Sequence, residues 1–190
     1  MNHQPLRGCQ PAPIRLQTVR LCLEPLGIEH LEAVHWLWCE AGVRRYLWDD
    51  RIIDQSQAAG PLKESERDFS DHGFGLWGLY RPASAVLVGF CGLRLADLFP
   101  EPELLFGLGE VYWGQGLATE AAQRVLCHAF EGLGHDVIGA ATDAANLRSS
   151  RVMECLGMRF VQRADHDGLD TLFYRLSRTE WRMGQLMSGE

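Results

Sequence analysis

Two glycines stand one residue apart, directly before a segment of helical spacing, and this pattern has the clearest chemical meaning in the chain. Gly114 and Gly116 precede an apolar repeat that starts at Leu117 and continues through Ala121 and Val125. The first amides of a helix have no partner within it, and the helix dipole adds partial positive charge there. Because glycine has no Cβ, phosphate oxygens can approach such a turn closely. The spacing fits a phosphate-binding turn, and it fits equally well a tight strand-to-helix turn without a ligand.

Two better-known phosphate motifs do not fit this turn. A P-loop has a lysine and a hydroxyl residue after its last glycine, whereas Gly116 is followed by Leu117 and Ala118. A dinucleotide-binding G-x-G-x-x-G pattern could start at Gly107, but its last position is Tyr112. The turn therefore belongs to neither of these nucleotide-binding classes.

The segments on either side of the turn predict how it is positioned. Glu103–Leu108 is a short apolar run that predicts an inner strand, and the helix that starts at Leu117 should end at Gly134. Val137–Ala141 is a second short strand of small and branched residues. Because strand, helix and strand follow one another in a crossover, these two strands should be parallel.

The rest of the chain predicts antiparallel strands and further helices. Alternating apolar residues predict a half-buried strand over Thr18–Leu23, and the residues from Ile28 to a stop at Gly42 have helical spacing. Further predicted elements are a short helix or loop with an exposed basic face over Val43–Asp50, a helix over Pro61–Ser70 with the proline in its first turn, a hairpin of Gly75–Tyr80 and Ala85–Leu95, a helix from Asn146 to Gly157, and a hairpin of Arg159–Arg163 and Thr171–Ser177 around Asp167-Gly168. This order predicts one mixed α/β (α+β) domain over residues 14–182, with a flexible leader over 1–13 and a tail over 183–190.

Composition and charge exclude several classes of function. The 190 residues carry a net charge of −7, whereas general nucleic-acid binding requires a basic footprint. The chain has no apolar run of about 18 residues and no secretory signal, so we expect no membrane span and a cytoplasmic protein. Its six cysteines are scattered without a C-x-x-C pair, which is typical of a reduced protein without structural zinc. We therefore expect no metal and no nucleic-acid partner.

Several motifs, in one consistent order, resemble a single enzyme family. Tyr112–Ala121 (YWGQGLATEA) resembles the coenzyme A loop of the GNAT N-acetyltransferases, whose pattern is Q/R-x-x-G-x-G/A. Segments that resemble further elements of the branch that acetylates the N-termini of ribosomal proteins are Thr18–Leu26, Val43–Leu47, Asn146–Ser149 with Glu154–Met158, and Tyr174–Trp181. The resemblance covers roughly residues 16–181. It implies the GNAT fold, a central mixed, mostly antiparallel sheet flanked by helices.

The resemblance implies acetyl-CoA (coenzyme A) as co-substrate, bound where the strand Glu103–Leu108 and its parallel neighbour splay apart. The pantetheine arm would bond to that strand like an added strand, and the amides of the turn would hold the pyrophosphate. The cofactor-binding residues that it implies are Phe106, Leu108, Trp113, Gly114, Gln115, Gly116, Leu117, Ala118, Thr119, Asn146 and Ser149. Trp113 stands where most of the superfamily has Arg or Gln, so its side chain brings no charge to the phosphate.

The resemblance also implies which residues handle protons. A primary amine must be neutral to attack a thioester, so a base should take its proton. Glu103 aligns with the family's strand glutamate and is the first candidate, with Glu110 second. Ser149 matches the serine that protonates the leaving thiolate in this branch, with Ser150 as its substitute, while Met153 stands where many relatives have a tyrosine donor. The structural alternatives are an exposed glutamate at a strand end and a capping serine in a first helical turn.

Together these observations predict an N-acetyltransferase that moves an acetyl group directly to a primary amine in a ternary complex. The acceptor is a protein N-terminus in the first interpretation and a small polyamine or antibiotic amine in the second. Two alternatives stay open. One is a GNAT-fold sensor or interaction module that binds acyl-CoA without turnover, and the other is a transferase with a nucleophilic thiol, Cys155 or Cys127. The sequence is compatible with a monomer or a homodimer.

Overall fold

The computed structural model describes residues 14–96 and 98–188, and the strands among them form one eight-stranded sheet. In chain order the strands are β1 (Leu16–Gln17), β2 (Cys22–Pro25), β3 (Leu76–Tyr80), β4 (Leu87–Arg94), β5 (Glu103–Leu108), β6 (Val137–Asp143), β7 (Arg159–His166) and β8 (Leu169–Ser177). Their order across the sheet is β1-β2-β3-β4-β5-β6-β8-β7. The predicted leader over residues 1–13 lies outside the described residues.

Six α-helices accompany this sheet in the described part of the chain. They are α1 (Leu31–Cys39), α2 (Ala41–Leu47), α3 (Gln55–His72), α4 (Leu117–Cys127), α5 (Leu147–Cys155) and α6 (Arg178–Ser188). Short 3-10 turns precede α1 and α4, and a π-helical turn over His128–Gly132 continues α4. The observed architecture is therefore the predicted α/β arrangement of a mixed, mostly antiparallel sheet flanked by helices.

Alternate residues of the central strands supply two separate hydrophobic cores. Cys91 and Leu93 of β4 pack with Leu104 of β5 and with residues of α4 and α5. Phe90 of β4 packs instead with residues of α1, α2 and α3. Since successive side chains of a strand point to opposite faces, α4 and α5 lie on one face of the sheet and α1 to α3 on the other.

The strands β5 and β6 are the one parallel pair in the described sheet, as the strand–helix–strand pattern predicts. β5 has the predicted bounds, and β6 continues two residues beyond the predicted end at Ala141. The two strands pair only where Glu103 lies beside Gly139. Beyond this point they separate, which confirms the splay that the GNAT resemblance implies.

The predicted strand Thr18–Leu23 is wrong, because the segment contains a turn between β1 and β2. Val19 lies at this turn with 93% of its surface exposed, and not on a buried face. The Thr18 hydroxyl accepts a hydrogen bond from the Leu21 amide at 2.9 Å, and the Thr18 amide donates to the Leu21 carbonyl at 2.9 Å. A threonine that closes a turn in this way competes with strand pairing.

The first predicted helix ends earlier than Gly42, and a second helix follows at once. α1 ends at Cys39, and Gly42 lies inside α2. The break is Glu40, whose ψ of 137° is extended and whose carboxylate accepts a hydrogen bond from the Glu110 amide at 3.0 Å. This contact with a distant loop accompanies the break, and no local pattern reveals it. For Val43–Asp50 the short-helix alternative is correct as far as Leu47.

The third helix starts at Gln55, and the predicted start at Pro61 is wrong. Asp54 caps the helix, since its carboxylate accepts a hydrogen bond from the Gln57 amide at 2.9 Å. The Gln57 side chain accepts in return from the Asp54 amide at 3.0 Å. Pro61 therefore lies inside the helix, where the cap outweighs the local preference of proline for a first turn.

The C-terminal half agrees more closely with the prediction. α5 starts after Asn146, Gly157 follows its end with a φ of +79°, and β7 and β8 form the predicted hairpin. α6 runs from Arg178 to Ser188, so the boundary predicted at residue 182 falls inside a helix. Among the residues that the structure describes, no helix is both long and apolar enough to cross a membrane.

Candidate active site

The gap between β5 and β6 exposes backbone amides of β5. The Gly109 amide donates to the Val88 carbonyl of β4 at 3.0 Å. Because alternate residues of a strand direct their amides to the same edge, the amides of Phe106 and Leu108 point the other way, into the gap. An extended ligand with amide groups could bond there as an additional strand. The positions of Phe106 and Leu108 therefore fit the predicted contact with a pantetheine arm.

The turn before α4 presents a row of free amides. Gly114 and Gly116 have φ of +72° and +73°, a left-handed conformation that favours glycine, and Gly116 is the N-cap of α4. The amides from Gly114 to Thr119 donate to no acceptor among the described residues. At Gly114 an added Cβ would have no atom within 4 Å, so the backbone there is open to a ligand. These amides and the helix dipole together suit a pyrophosphate.

Side chains of this segment differ in what they contribute. Leu117 is buried in the core with 2% of its surface exposed and anchors the start of α4. The Gln115 side chain is held by Arg81, which donates to Oε1 at 2.7 Å, and by the Val111 carbonyl, which accepts from Nε2 at 3.1 Å. The Gln115 side chain does not line the cavity, and its backbone amide is the group that the resemblance assigns to phosphate.

Trp113 supports three elements around the gap. Its indole Nε1 donates to the Leu108 carbonyl at 2.7 Å, which holds the end of β5. Gly42 of α2 lies against the edge of the ring, since a Cβ at this position would collide with the ring atoms. The Arg148 guanidinium of α5 lies over the ring, 4.4 Å from its centroid. The side chain is thus a support for the cavity wall rather than a source of charge.

Glu110, the second candidate base, holds two loops together. Its carboxylate accepts a hydrogen bond from the Gly42 amide at 2.6 Å, and its own amide donates to Glu40 at 3.0 Å. These bonds tie the α1–α2 junction to the loop between β5 and α4. Glu110 does not line the cavity beside the gap, whereas Glu103 does.

Glu103 lies at the narrow end of the gap, on the face opposite α4 and α5. Only 3% of its surface is exposed, and its Oε2 accepts a hydrogen bond from Arg94 Nε of β4 at 2.7 Å. The guanidinium compensates the buried negative charge and orients the carboxylate. No described residue donates to the other oxygen, Oε1, which is therefore the oxygen free to accept a proton.

The start of α5 presents one free hydroxyl to the cavity. Asn146 caps the helix through Oδ1, which accepts from the Ser149 amide at 3.3 Å. The Ser149 hydroxyl makes no hydrogen bond within the described residues, whereas the buried Ser150 hydroxyl donates to the Asn146 carbonyl at 3.4 Å. Met153 is buried beside them and offers no proton. Of the two serines, Ser149 is the one available as a donor.

Sequence reasoning misses Asp143, the last residue of β6. Ala140 packs with α4 and α5, so alternation places Asp143 on the opposite face, together with Glu103. Burial raises the pKa of the Asp143 carboxyl, and the nearby Asp49 raises it further. Asp143 forms no ion pair with a described cationic side chain. In the sequence, only its position three residues before Asn146 points to a role in the site.

Tyr46 of α2 is a second residue that sequence reasoning does not assign to the site. Its hydroxyl donates to the Ala145 carbonyl at 3.3 Å. This bond joins α2 to the loop between β6 and α5, on the far side of the gap. α2 therefore bridges the face of the gap from which an acceptor would enter.

One cavity of about 640 Å³ connects these groups. Apart from Gln115 and the two second-choice candidates, Glu110 and Ser150, every residue predicted for the site lines it. The free amides of the turn give the side of α4 a positive potential, and Glu103 and Asp143 place negative charge on the opposite face of the sheet. Within the described residues, no group of three or more His, Cys, Asp or Glu side chains could hold a metal ion.

The geometry gives little support to a transferase that uses Cys155 or Cys127 as a nucleophilic thiol. Cys155 lines the cavity and is exposed, but it has no hydrogen bond to a described histidine. Cys127 is half-buried and does not line the cavity. A nucleophilic thiol needs an adjacent base or a comparable source of activation.

Comparison with known proteins agrees with this geometry. The family model of an acetyltransferase (GNAT) domain matches residues 20–159. The chain is 24% identical over 174 residues to an uncharacterized N-acetyltransferase, p20, of Bacillus licheniformis, which covers 87% of this chain and 97% of that protein. It is 30% identical over 158 residues to FsC-acetyl coenzyme A-N(2)-transacetylase of Aspergillus fumigatus, which covers 77% of this chain and 66% of that protein.

The fold is also similar to a solved acetyltransferase structure. RimL, a ribosomal-protein alpha-N-protein acetyltransferase in complex with coenzyme A, superposes with a TM-score of 0.72 at 15% identity, over 86% of this chain and 98% of that chain. At this identity the likeness concerns the fold alone. From the family match over most of the domain, the chain belongs to the GNAT acetyltransferase family and is an acetyl-CoA-dependent N-acetyltransferase.

Proposed function

We propose that this enzyme transfers an acetyl group directly from acetyl-CoA to the α-amine at the N-terminus of a protein. The observation that carries the proposal is the single cavity through the split sheet, with phosphate-binding amides at one end and the Glu103 carboxylate at the other. When bound, acetyl-CoA supplies an activated acetyl group. The amine enters from the opposite face and meets it in the gap, so no covalent enzyme intermediate is needed.

Glu103 takes the proton from the amine, directly or through a water molecule. Arg94 pairs with Glu103 and orients its carboxylate at the narrow end of the gap. An α-amine has a pKa of about 8, whereas a lysine side chain has one of about 10.4. A carboxylate therefore deprotonates an α-amine more easily, and this difference supports an N-terminus over a lysine as acceptor.

Two residues at the start of α5 act on the other side of the gap. The Ser149 hydroxyl donates a hydrogen bond to the departing thiolate, because it has no other acceptor within the described residues. Asn146 uses its side-chain oxygen to cap the helix, which leaves its amide hydrogens free to bond an extended pantetheine arm. Both side chains are positioned by the helix start and not by flexible loops.

Further features support a protein N-terminus in the cytoplasm as the acceptor. The resemblance of Tyr112–Ala121 and Asn146–Met158 to the ribosomal-protein branch points to this acceptor, and RimL has the same fold. Glu103 and Asp143 place negative charge on the face of the gap opposite α4, which would attract an ammonium group. The described cysteines are all free, as expected in a reducing compartment.

A small-molecule amine is the second candidate acceptor. The observation in its favour is the relative with 30% identity, which is named for acetyl transfer to an N(2) position of FsC. A small amine would need the same cavity, the same base and the same cofactor end. The two candidates therefore differ only in what surrounds the amine outside the gap.

Release of coenzyme A thiol with a matched panel of amines tests these alternatives. The panel contains peptides with a free N-terminal Ala or Ser, the same peptides with a blocked N-terminus and an internal Lys, spermidine, and an aminoglycoside. We expect turnover with the free N-termini and not with the blocked peptides. Turnover only with spermidine or the aminoglycoside would support the small-molecule acceptor. Tight acetyl-CoA binding without turnover of any amine would support the sensor.

A further inference from the structure

The cofactor end of the cavity obtains its positive charge from few sources. The turn itself contributes amides and no cationic side chain, because Trp113 stands at the position where most of the superfamily has Arg or Gln. Two arginines beside the turn are already engaged. Arg20 pairs with Glu120 and donates to the Gln115 carbonyl, and Arg81 donates to the Gln115 side chain. Coenzyme A carries several negative phosphates, so a further cation beside the turn would strengthen the attraction that the amides provide.

Arg148 is an arginine of the same cavity that no described carboxylate neutralises. It lines the same cavity as Gly114 and Gly116, its side chain is exposed, and it forms no ion pair with a described carboxylate. Its guanidinium lies 4.4 Å from the centroid of the Trp113 ring. The hydrogen bond from Trp113 Nε1 to the Leu108 carbonyl fixes the position of that ring. Because the guanidinium lies against the fixed ring, the ring limits the orientations of the Arg148 side chain.

We propose that Arg148, supported by the Trp113 ring, binds a phosphate group of coenzyme A and supplies the charge that the turn lacks. This inference rests on the proposed function, since it assigns a residue to the cofactor end of the same cavity. A guanidinium presents several N–H groups to phosphate oxygens, and it stacks on an aromatic face without losing them. Arg151 lies one turn further along α5 and also lines the cavity, but no described aromatic ring supports it.

The pyrophosphate and the ribose phosphate of coenzyme A offer the same chemistry. Calorimetric titrations with coenzyme A, dephospho-coenzyme A and pantetheine separate them, because these ligands carry all, some and none of the phosphates. We expect Arg148→Gln to weaken coenzyme A binding about tenfold to a hundredfold, the effect of one charge-assisted hydrogen bond, and to leave pantetheine binding unchanged. An equal loss for dephospho-coenzyme A assigns the contact to the pyrophosphate, whereas no loss assigns it to the ribose phosphate.

Two further variants separate charge from structure. Arg148→Lys keeps the charge and should retain most of the affinity. Arg182→Gln removes a remote arginine that pairs with Glu131, and it should leave all three affinities unchanged. Unchanged coenzyme A binding in Arg148→Gln, or a parallel loss for pantetheine, would overturn the inference. Binding without turnover by the wild-type protein would refute the catalytic proposal alone, whereas no binding at all would overturn both.

Discussion

The two sides of the cavity are built in different ways. The proposed cofactor side consists of backbone amides from one continuous segment, Gly114–Thr119, and from alternate residues of β5. The proposed acceptor side, on the face opposite α4 and α5, consists of side chains from separate elements: Arg94 of β4, Glu103 of β5, Asp143 of β6 and Tyr46 of α2. A site made of backbone depends on local conformation, so a short motif encodes it. A site made of side chains from distant elements depends on the whole fold.

The two sides also differ in charge. Free amides, the dipole of α4 and Arg148 give the proposed cofactor side positive potential, whereas Glu103 and Asp143 place negative charge on the opposite face. An anionic cofactor and a cationic amine are therefore drawn to opposite sides of one cavity. Substitutions of Glu103 and Asp143 should consequently change catalysis while they leave coenzyme A binding intact, and two of the following predictions test this separation.

The largest effect is expected for Glu103→Gln. It removes the proposed proton acceptor but keeps the shape of the side chain, so kcat should fall about a hundredfold or more. Steady-state kinetics measure this fall, and the calorimetric affinity for acetyl-CoA should stay unchanged.

Glu110→Gln is the matched control for this variant, because its amide oxygen can still accept from Gly42. It should leave kcat nearly unchanged. If Glu110→Gln abolishes turnover while Glu103→Gln does not, the base is assigned to the wrong glutamate.

A smaller effect is expected at the two adjacent serines of α5. Ser149→Ala removes the free hydroxyl and should lower kcat about tenfold, less than loss of the base because a thiolate leaves readily. Ser150→Ala removes a buried hydrogen bond and should instead lower the free energy of unfolding by about 1 kcal/mol, with kcat unchanged. Urea unfolding and steady-state kinetics on both variants measure the two quantities. If Ser150→Ala lowers kcat and Ser149→Ala instead lowers the free energy of unfolding, the proposed roles of the two serines are exchanged.

The smallest effect concerns the stability of Asp143→Asn. Burial raises the pKa of this carboxyl in the folded state, so Asp143 stabilises the fold below its unfolded pKa and loses that contribution as pH rises through its folded pKa. Asp143→Asn removes the negative charge while it keeps the size of the side chain, and it should therefore raise Tm slightly at pH 7.

Scanning calorimetry against pH checks this sign. The gain in Tm should disappear below about pH 4, where the aspartate is protonated in both states. At pH 7 the same variant should raise KM for the amine and leave acetyl-CoA affinity unchanged. A lower Tm at pH 7 would mean that an unrecognised cation stabilises the Asp143 carboxylate.

The sequence predicts those parts of the fold whose signals are local. The turn around Gly116, the strand Glu103–Leu108 and the Asp167-Gly168 hairpin are each encoded by a few adjacent residues, and the structure has them. The start of α3 has a local signal too, since Asp54 and Gln57 have capping-box spacing, but Pro61 obscures it.

Other features depend on contacts between residues far apart in the chain. The turn at Val19 lies beside Arg20, which pairs with Glu120 a hundred residues away. The break at Glu40 accompanies its bond with Glu110. Asp143 can be connected with the cavity only because β6 places it on the same face as Glu103. No spacing rule in a single sequence encodes such relations, which explains why Asp143 is not predicted as a residue of the cavity.

The central claim is that the turn at Gly116 binds acetyl-CoA through its backbone. Gly116→Val and Gly157→Val allow a matched test, because both glycines have a φ near +75° and both variants strain the backbone by about 1–2 kcal/mol. Of these two glycines, only Gly116 lines the cavity. Calorimetric titration of acetyl-CoA should show tight binding to the wild-type protein and to Gly157→Val, and loss of binding to Gly116→Val. No binding to the wild-type protein, or equal binding to both variants, would contradict the account.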